Sequence, residues 1–280
     1  MRHLVLGSSG QIGAHLVKYL QDKGEQVIEY DIALNKKESM NPRRYDLRIQ
    51  NEYLLDSLID YCDIIHFLAF DVGGAKYLEK NQDKYGFISN NMKIMVNTFD
   101  TLAKYGTKPI IFASSQMAEM SYSSYGMLKA LGEKMTRDLG GLVVKFWNVY
   151  GYETDEDKSH VITNFIQMAK YEKVIKMRTD GTESRQFLYA DDACEALLKL
   201  ATVYNKLDKK KEYSITSFKW NKVYEIADIL DILSSCKVIP SDRKDKTQRN
   251  AMNEPDTHIK KYWKPKTSLQ EGIMKLYNLY

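Results

Sequence analysis

The side chains in this sequence best suited to moving a proton are Tyr125 and Lys129, four residues apart, preceded by Ser114 and Ser115. Residues at i and i+4 share one face of a helix, so the phenol and the ammonium would stand side by side. A neighbouring cation favours the phenolate and draws the tyrosine pKa toward neutrality. Such a phenol is a general base for an alcohol that loses hydride, or a general acid for a ketone that gains one. The serines close the apolar run Pro109 to Ala113. A hydroxyl at the carboxyl edge of a strand there could share a hydrogen bond with the reacting oxygen.

Upstream, Gly7-Ser8-Ser9-Gly10-Gln11-Ile12-Gly13 joins a strand-like run to a helix-like one. Glycine is needed where the chain turns sharply and where backbone must approach a pyrophosphate. The following helix would offer unpaired N–H groups and the positive end of its dipole to that anion, with Gly13 allowing helix and strand to pack closely. Asp31 ends the second strand-like run, 18 residues beyond Gly13. An acidic side chain there accepts hydrogen bonds from the adenosine ribose and repels a 2′-phosphate, which favours NAD over NADP. Lys36 and Lys37 pull the other way.

The elements that must carry these residues alternate. Strands are expected at His3 to Leu6, Gln26 to Tyr30, Ile64 to Leu68, Pro109 to Ala113 and Leu142 to Phe146. Between them, Ile12, Leu16 and Leu20 form one helical stripe, and Ile88, Met92, Met95, Val96 and Phe99 another. This rhythm predicts a parallel sheet with helices on both faces and a ligand at the strands' carboxyl ends. After Gly151 it loosens: helices are expected over Val161 to Ala169, Ala193 to Val203 and Val223 to Leu233, strands over Gln186 to Tyr189 and Tyr213 to Thr216, and a final helix from Leu269 capped by Ser268.

Composition narrows the class. At 280 residues with 44% hydrophobic side chains, the chain can bury a sizeable core. A net charge of +4 and the short run Lys209-Lys210-Lys211, flanked by Asp208 and Glu212, give no nucleic-acid surface. There is no run of 18 apolar residues for a membrane span, and no charged stretch leads into a signal-like apolar segment. Cys62, Cys194 and Cys236 have no metal-binding spacing, so no metal is expected, and their odd number fits reduced thiols in a cytoplasmic protein.

The order glycine loop, acidic residue, serine-ended strand, tyrosine and lysine resembles the extended short-chain dehydrogenase/reductases, which include nucleotide-sugar epimerases, dehydratases and 4-ketoreductases. The resemblance spans nearly the whole chain. It implies an α/β fold: a doubly wound parallel Rossmann sheet that binds NAD over residues 1–150, and a small C-terminal substrate-binding lobe over 151–280 from which the chain crosses back. It implies that Asp46-Leu47 follows the third strand and contacts adenine, that Leu68-Ala69-Phe70 lines the cofactor, and that Lys129 holds the nicotinamide ribose. In Asn148-Val149-Tyr150-Gly151, the asparagine would bind substrate and Val149 would border nicotinamide. Arg185, opening the segment to Asp192, would pair with the diphosphate, and Ser268 to Gly272 resembles the family's closing helix.

Two segments, Asp71-Val72-Gly73-Gly74 and Ser159-His160-Val161-Ile162, are similar to GDP-fucose synthase and GDP-mannose 3,5-epimerase-type enzymes, which would make His160 a substrate-binding acid/base. Elsewhere the pattern departs. Only nine residues separate Ser115 from Tyr125, a link similar to that of some CDP-sugar 4-ketoreductases. Gln116 and Met117 stand where the family carries proton-transferring residues for dehydration or 3,5-epimerisation. The resemblance therefore implies an NAD-dependent nucleotide-sugar epimerase working through a transient 4-keto sugar. A 4-dehydrogenase or 4-ketoreductase with net redox, and a non-catalytic NAD-binding sensor, are the alternatives. It also implies a homodimer built on helices near Ile88 to Tyr105 and Ser124 to Arg137.

Overall fold

The computed structural model describes residues 1–36, 45–50, 52–106, 108–249 and 252–280. The first half runs β1 (Arg2–Leu6), α1 (Gln11–Asp22), β2 (Gln26–Tyr30), α2 (Glu52–Tyr61), β3 (Ile64–Phe67), α3 (Ala75–Asn81), α4 (Tyr85–Ala103), β4 (Ile110–Ser115), α5 (Ser124–Asp138) and β5 (Leu142–Phe146). The second runs β6 (Asn148–Tyr150), α6 (Val161–Gln167), β7 (Val174–Lys176), β8 (Ser184–Arg185), β9 (Phe187–Tyr189), α7 (Ala190–Thr202), β10 (Glu212–Ile215), β11 (Asn221–Lys222), α8 (Val223–Ser234), β12 (Lys237–Ile239) and α9 (Leu269–Leu279).

Six strands pair in parallel in the order β2-β1-β3-β4-β5-β10. Every residue of β3, β4 and β5 is buried, as expected of parallel strands covered on both faces. The chain leaves β1 toward β2, then crosses back to β3 on the other side. This reversal opens a crevice at the carboxyl ends of β1 and β3, where the glycine loop lies.

One face of the sheet is covered by α1 and α7, through Leu16, Leu20, Ala193, Leu197 and Leu200 around Val5 and Val144. The other is covered by α2, α4 and α5, where Leu55, Phe99 and Leu128 meet Leu4, Phe67 and Phe112. A separate core of Ile162, Ile166, Ile226, Leu230 and Ile273 holds α6, α8 and α9 together. Each such aliphatic or aromatic side chain contributes roughly 1.5–3 kcal/mol of burial free energy. The main sheet and its α1 face take α7 and β10 from the second half of the chain.

β4 ends on Ser114 and Ser115, as expected, and starts one residue later than the apolar run, at Ile110. One local expectation changes. The helix expected to reach Ala169 ends at Gln167 and widens into a π turn over Met168–Glu172, closed by Lys173 at φ 58°. An inserted helical residue leaves the apolar spacing nearly unchanged, so the pattern did not show it. Lys37 and the segment before Asp46, where the resemblance puts a third strand, lie outside the described residues.

Candidate active site

At the end of β1, Gly7 adopts φ +90° and donates its N–H to the Tyr30 carbonyl at 2.8 Å. A side chain there would meet the Ala69 nitrogen at 2.6 Å, and one at Gly13 would meet the Gly7 carbonyl oxygen at 2.0 Å. The turn is therefore packed to a tightness that only glycine permits. Gly10 caps α1 with no side-chain hydrogen bond, and the first turn carries no acidic residue. Among the described residues, no protein acceptor meets the N–H groups of Gln11, Ile12 and Gly13. Free donors at a helix start suit an anion. The Gln11 amide spans the crevice and donates to the Val149 carbonyl at 3.2 Å.

The Asp31 carboxylate accepts from the N–H groups of Ser9 at 3.0 Å and Ala33 at 2.8 Å, which holds it at the lip of the loop. Asp46 is tied to Arg48 by its backbone N–H at 3.0 Å, Nε at 2.9 Å and Nη2 at 2.7 Å. Burial alone would raise the Asp46 carboxyl, but these bonds hold it below its ordinary range. Leu47 is anchored by Asn97, whose amide donates to its carbonyl at 2.9 Å. The donor set of the loop and the acid beside it fit an adenine dinucleotide.

Ser115 stands at the end of β4 and Tyr125 in the first turn of α5. The link between them folds into a single 3₁₀ turn, Gln116–Glu119, and Ser123 caps α5 by accepting from Gly126 N–H at 3.0 Å. A side chain on Gly126 would strike the Met117 carbonyl at 2.1 Å, so the helix start sits directly on the link. Met117 itself points into the core. Residues from near the end of the chain reach over this link: Asn253 donates to the Gln116 carbonyl at 3.0 Å, and Tyr122 donates to that of Gln248 at 2.9 Å.

Tyr125 and Lys129 share one face of α5, but the electrostatics differ from the expectation. Burial raises Tyr125 to about 12, and a hydrogen bond with Ser115 offsets only part of that. Burial lowers Lys129 to about 7, opposed by the Glu133 carboxylate. The lysine does not draw down the phenol; desolvation penalises both charged forms. The Lys129 amine donates to the Ala113 carbonyl at 2.6 Å and lies 3.8 Å from the centre of the Phe70 ring. Phe70 in turn meets the Tyr125 ring edge-on at 5.8 Å. Glu133, one turn beyond Lys129, accepts from Ser114 Oγ at 2.6 Å.

Across the cleft, Asn148 presents a buried side-chain oxygen with no hydrogen-bond partner among the described residues. His160 holds its Nδ1 2.6 Å from Glu153. Arg185 is nearly buried; its guanidinium binds Asp245, the Ser184 carbonyl at 2.6 Å and the Arg249 carbonyl at 2.7 Å. Asp71 accepts from Tyr77 at 2.6 Å, Lys158 at 3.0 Å and Asn90 at 3.3 Å. Burial would raise the Asp71 carboxyl, but these three donors hold it below its usual value. Gly74 donates to the Lys158 carbonyl at 2.8 Å, and a side chain on it would meet the Ser159 oxygen at 2.3 Å. The two glycine- and histidine-bearing segments singled out in the sequence are thus pressed together as one wall.

All the candidate residues line a single cleft of about 1700 Å³. That exceeds the roughly 300–1,000 Å³ of a pocket for one drug-sized ligand, leaving room for two. Sequence reasoning missed Glu153, Tyr77, Lys158, the Asp245 partner of Arg185, and Glu133. Only Glu133 had a readable signal, since Tyr125, Lys129 and Glu133 continue one i, i+4 stripe.

A family model described as "NAD dependent epimerase/dehydratase family" matches residues 3–216. UDP-glucuronate 4-epimerase of Thermodesulfobacterium geofontis (strain OPF15) is 25% identical over an alignment spanning 99% of this chain and 95% of that protein. GDP-mannose 3,5-epimerase 1 of Oryza sativa subsp. indica is 24% identical over 99% of this chain and 81% of that protein. The crystal structure of a UDP-glucose 4-epimerase from Thermotoga maritima, solved with UDP-glucose, superposes with a TM-score of 0.78 at 22% identity, covering 99% of this chain and 98% of the other. At that identity the superposition speaks to the fold.

Proposed function

The chain belongs to the NAD dependent epimerase/dehydratase family, and from that premise we propose that it epimerises a sugar carried on a nucleoside diphosphate through a transient 4-keto sugar. The observation that supports this most is a single cleft joining an open anion-binding turn at Gly10–Gly13 to Ser115, Tyr125 and Lys129. NAD is the cofactor of the family, and Asp31, Asp46, Leu47, Leu68, Ala69, Phe70 and Val149 would hold it along the cleft floor. When bound, it supplies a hydride acceptor and a positively charged ring.

Tyr125 takes the proton of the sugar's C4 hydroxyl, and Ser115 donates a hydrogen bond to the oxygen as it becomes a carbonyl. Burial makes a lone phenolate costly, so Tyr125 works as a base only when positive charge lies close to it. Lys129 contributes by donating, through an amine that burial leaves easily neutralised. Asn148 offers its unpartnered oxygen to a substrate hydroxyl. Arg185, braced by Asp245, faces the diphosphate. His160 handles a proton on the carbon beside C4.

A second reading, net oxidation or reduction at C4, is favoured by Met117, a thioether that lines the cleft and can transfer no proton, at the position where the resemblance puts a proton-transferring side chain for 3,5-chemistry. Incubation with GDP-, UDP-, CDP- and dTDP-sugars in heavy water separates the two. Deuterium gained at carbon, with no net change in nicotinamide absorbance, supports epimerisation; stoichiometric reduction or oxidation of the nicotinamide replaces it with net redox.

We also propose a homodimer. On α4, Met92 and Val96 are exposed, and on the adjoining α5 so are Met127 and Leu131. Each pair is spaced i, i+4, which makes an apolar strip across two packed helices. Light scattering is expected to give twice the chain mass, and Met127→Glu with Leu131→Glu to give a folded monomer.

A further inference from the structure

We infer that Glu153 is a positioning residue that sets His160 as a proton acceptor facing the cleft, so that the site holds a second proton-handling centre independent of Tyr125. The inference rests on reading the cleft as a nucleotide-sugar site. Nothing in the sequence pattern singled out Glu153, which lies seven residues before the histidine in the loop between β6 and α6.

The geometry is specific. The Glu153 side chain is 7% exposed, and its two oxygens are fully engaged. Oε1 lies 2.6 Å from His160 Nδ1, while Oε2 accepts from the His160 backbone N–H at 3.0 Å and from Thr163 Oγ1 at 2.6 Å. The loop beneath is clamped by Tyr280 at the end of α9, whose hydroxyl accepts from Glu153 N–H and donates to the Glu153 carbonyl, each at 2.9 Å. Burial alone would raise the Glu153 carboxyl, but its bonds to His160 and Thr163 keep it below the usual range, and it remains an anion.

A carboxylate can only accept, so the neutral imidazole carries its proton on Nδ1 and its lone pair on Nε2. Nε2 has no partner among the described residues, and His160 lines the cleft. When Nε2 takes a proton, the imidazolium faces the buried carboxylate and is stabilised by it, as in other carboxylate–histidine pairs. The step is balanced. A C–H bond beside the C4 carbonyl breaks, its electron pair moves into the carbonyl to give an enolate, and the proton forms an N–H bond at Nε2. From there it returns to carbon or exchanges with solvent.

The other ionisable groups around His160 leave Glu153 as its partner. Tyr152, Asp155, Glu156 and Asp157 belong to the same loop. Lys158 is committed to Asp71, and Tyr280 approaches through its hydroxyl. On the opposite wall, the backbone of Gly74 abuts Ser159 and His160 and brings no charge.

The test is nitrogen NMR of the imidazoles in the full chain, with the His160 signal assigned by its loss in H160Q; the chain has 5 histidines. Wild-type His160 is expected to carry its proton on Nδ1 when neutral. In E153Q, where a neutral amide replaces the carboxylate acceptor, that preference for Nδ1 should be lost. T163V, which removes a bond but no charge, should weaken it less and serves if E153Q fails to fold. Solvent deuterium exchange into a nucleotide sugar should slow in E153Q. A proton on Nε2 in the wild type, or an unchanged tautomer in E153Q, overturns the role of Glu153 whatever the substrate. The expected NMR result with no exchange from any sugar upholds that role and counts instead against the nucleotide-sugar reading.

Discussion

The cleft brings together two clusters of ionisable side chains of opposite character. Ser115, Tyr125 and Lys129 sit on β4 and α5 of the main sheet, almost wholly buried, with the phenol pushed up to about 12 and the amine down to about 7. His160 and Glu153 sit on the loop before α6 and at the start of that helix, where the imidazole is about a third exposed and bonded to a buried carboxylate. The first cluster is dry; the second keeps a buried carboxylate hydrogen-bonded to its imidazole. Burial is what separates them. Desolvation dominates at Lys129, where the rings of Phe70 and Phe112 surround the group, while at Glu153 burial is outweighed by the bonds from His160 and Thr163.

The sharpest way to break this contrast is Tyr125→Phe. If the dry centre carries hydride exchange, its rate with a turned-over nucleotide sugar should fall about 10³-fold, within the usual range for removing a general acid–base group. Cofactor binding, followed by fluorescence, should persist. An unaffected rate would remove the phenol from the mechanism.

His160→Gln should act on the other wall alone. Solvent deuterium incorporation is expected to drop about 100-fold. Oxidation at C4 in a single turnover should keep its rate. Equal losses in both readings would mean that the two centres are one.

The smallest effect is on stability. Lys129 falls from 10.5 to about 7 on folding, so between those values the unfolded chain binds the extra proton. The folded state therefore gains stability as pH rises from about 7 toward 10.5, and that gain is lost as pH falls back through about 7. Lys129→Met abolishes the slope. It should stabilise the fold by about 2 kcal/mol at pH below 7, the scale for replacing a buried charge with an apolar side chain of similar size. The advantage should shrink at alkaline pH, as chemical denaturation at several pH values would show.

Local spacing made much of this architecture readable. The stripe Ile12, Leu16, Leu20 predicted α1, and the apolar runs predicted β1 to β5 within a residue or two. Tyr125 and Lys129 share a helix face because four residues is close to one turn. The glycines of the first loop were recognisable because the tight turn they form lies within a few residues of sequence. The π turn after Gln167 was not readable, since it falls where the apolar stripe of that helix ends.

What the sequence determined by itself was the order of the strands and helices, the phosphate-sized turn at Gly7–Gly13, and the helical pairing of a phenol with an amine. Tertiary structure alone decided that Asp71 meets Lys158, that Arg185 is braced by Asp245, and that Glu153 faces His160. It also reversed the expected electrostatics of Tyr125 and Lys129. Helical and strand periodicity are set by neighbours along the chain. Pairing and desolvation depend on every group that the fold brings near in space, and no spacing in the sequence records that.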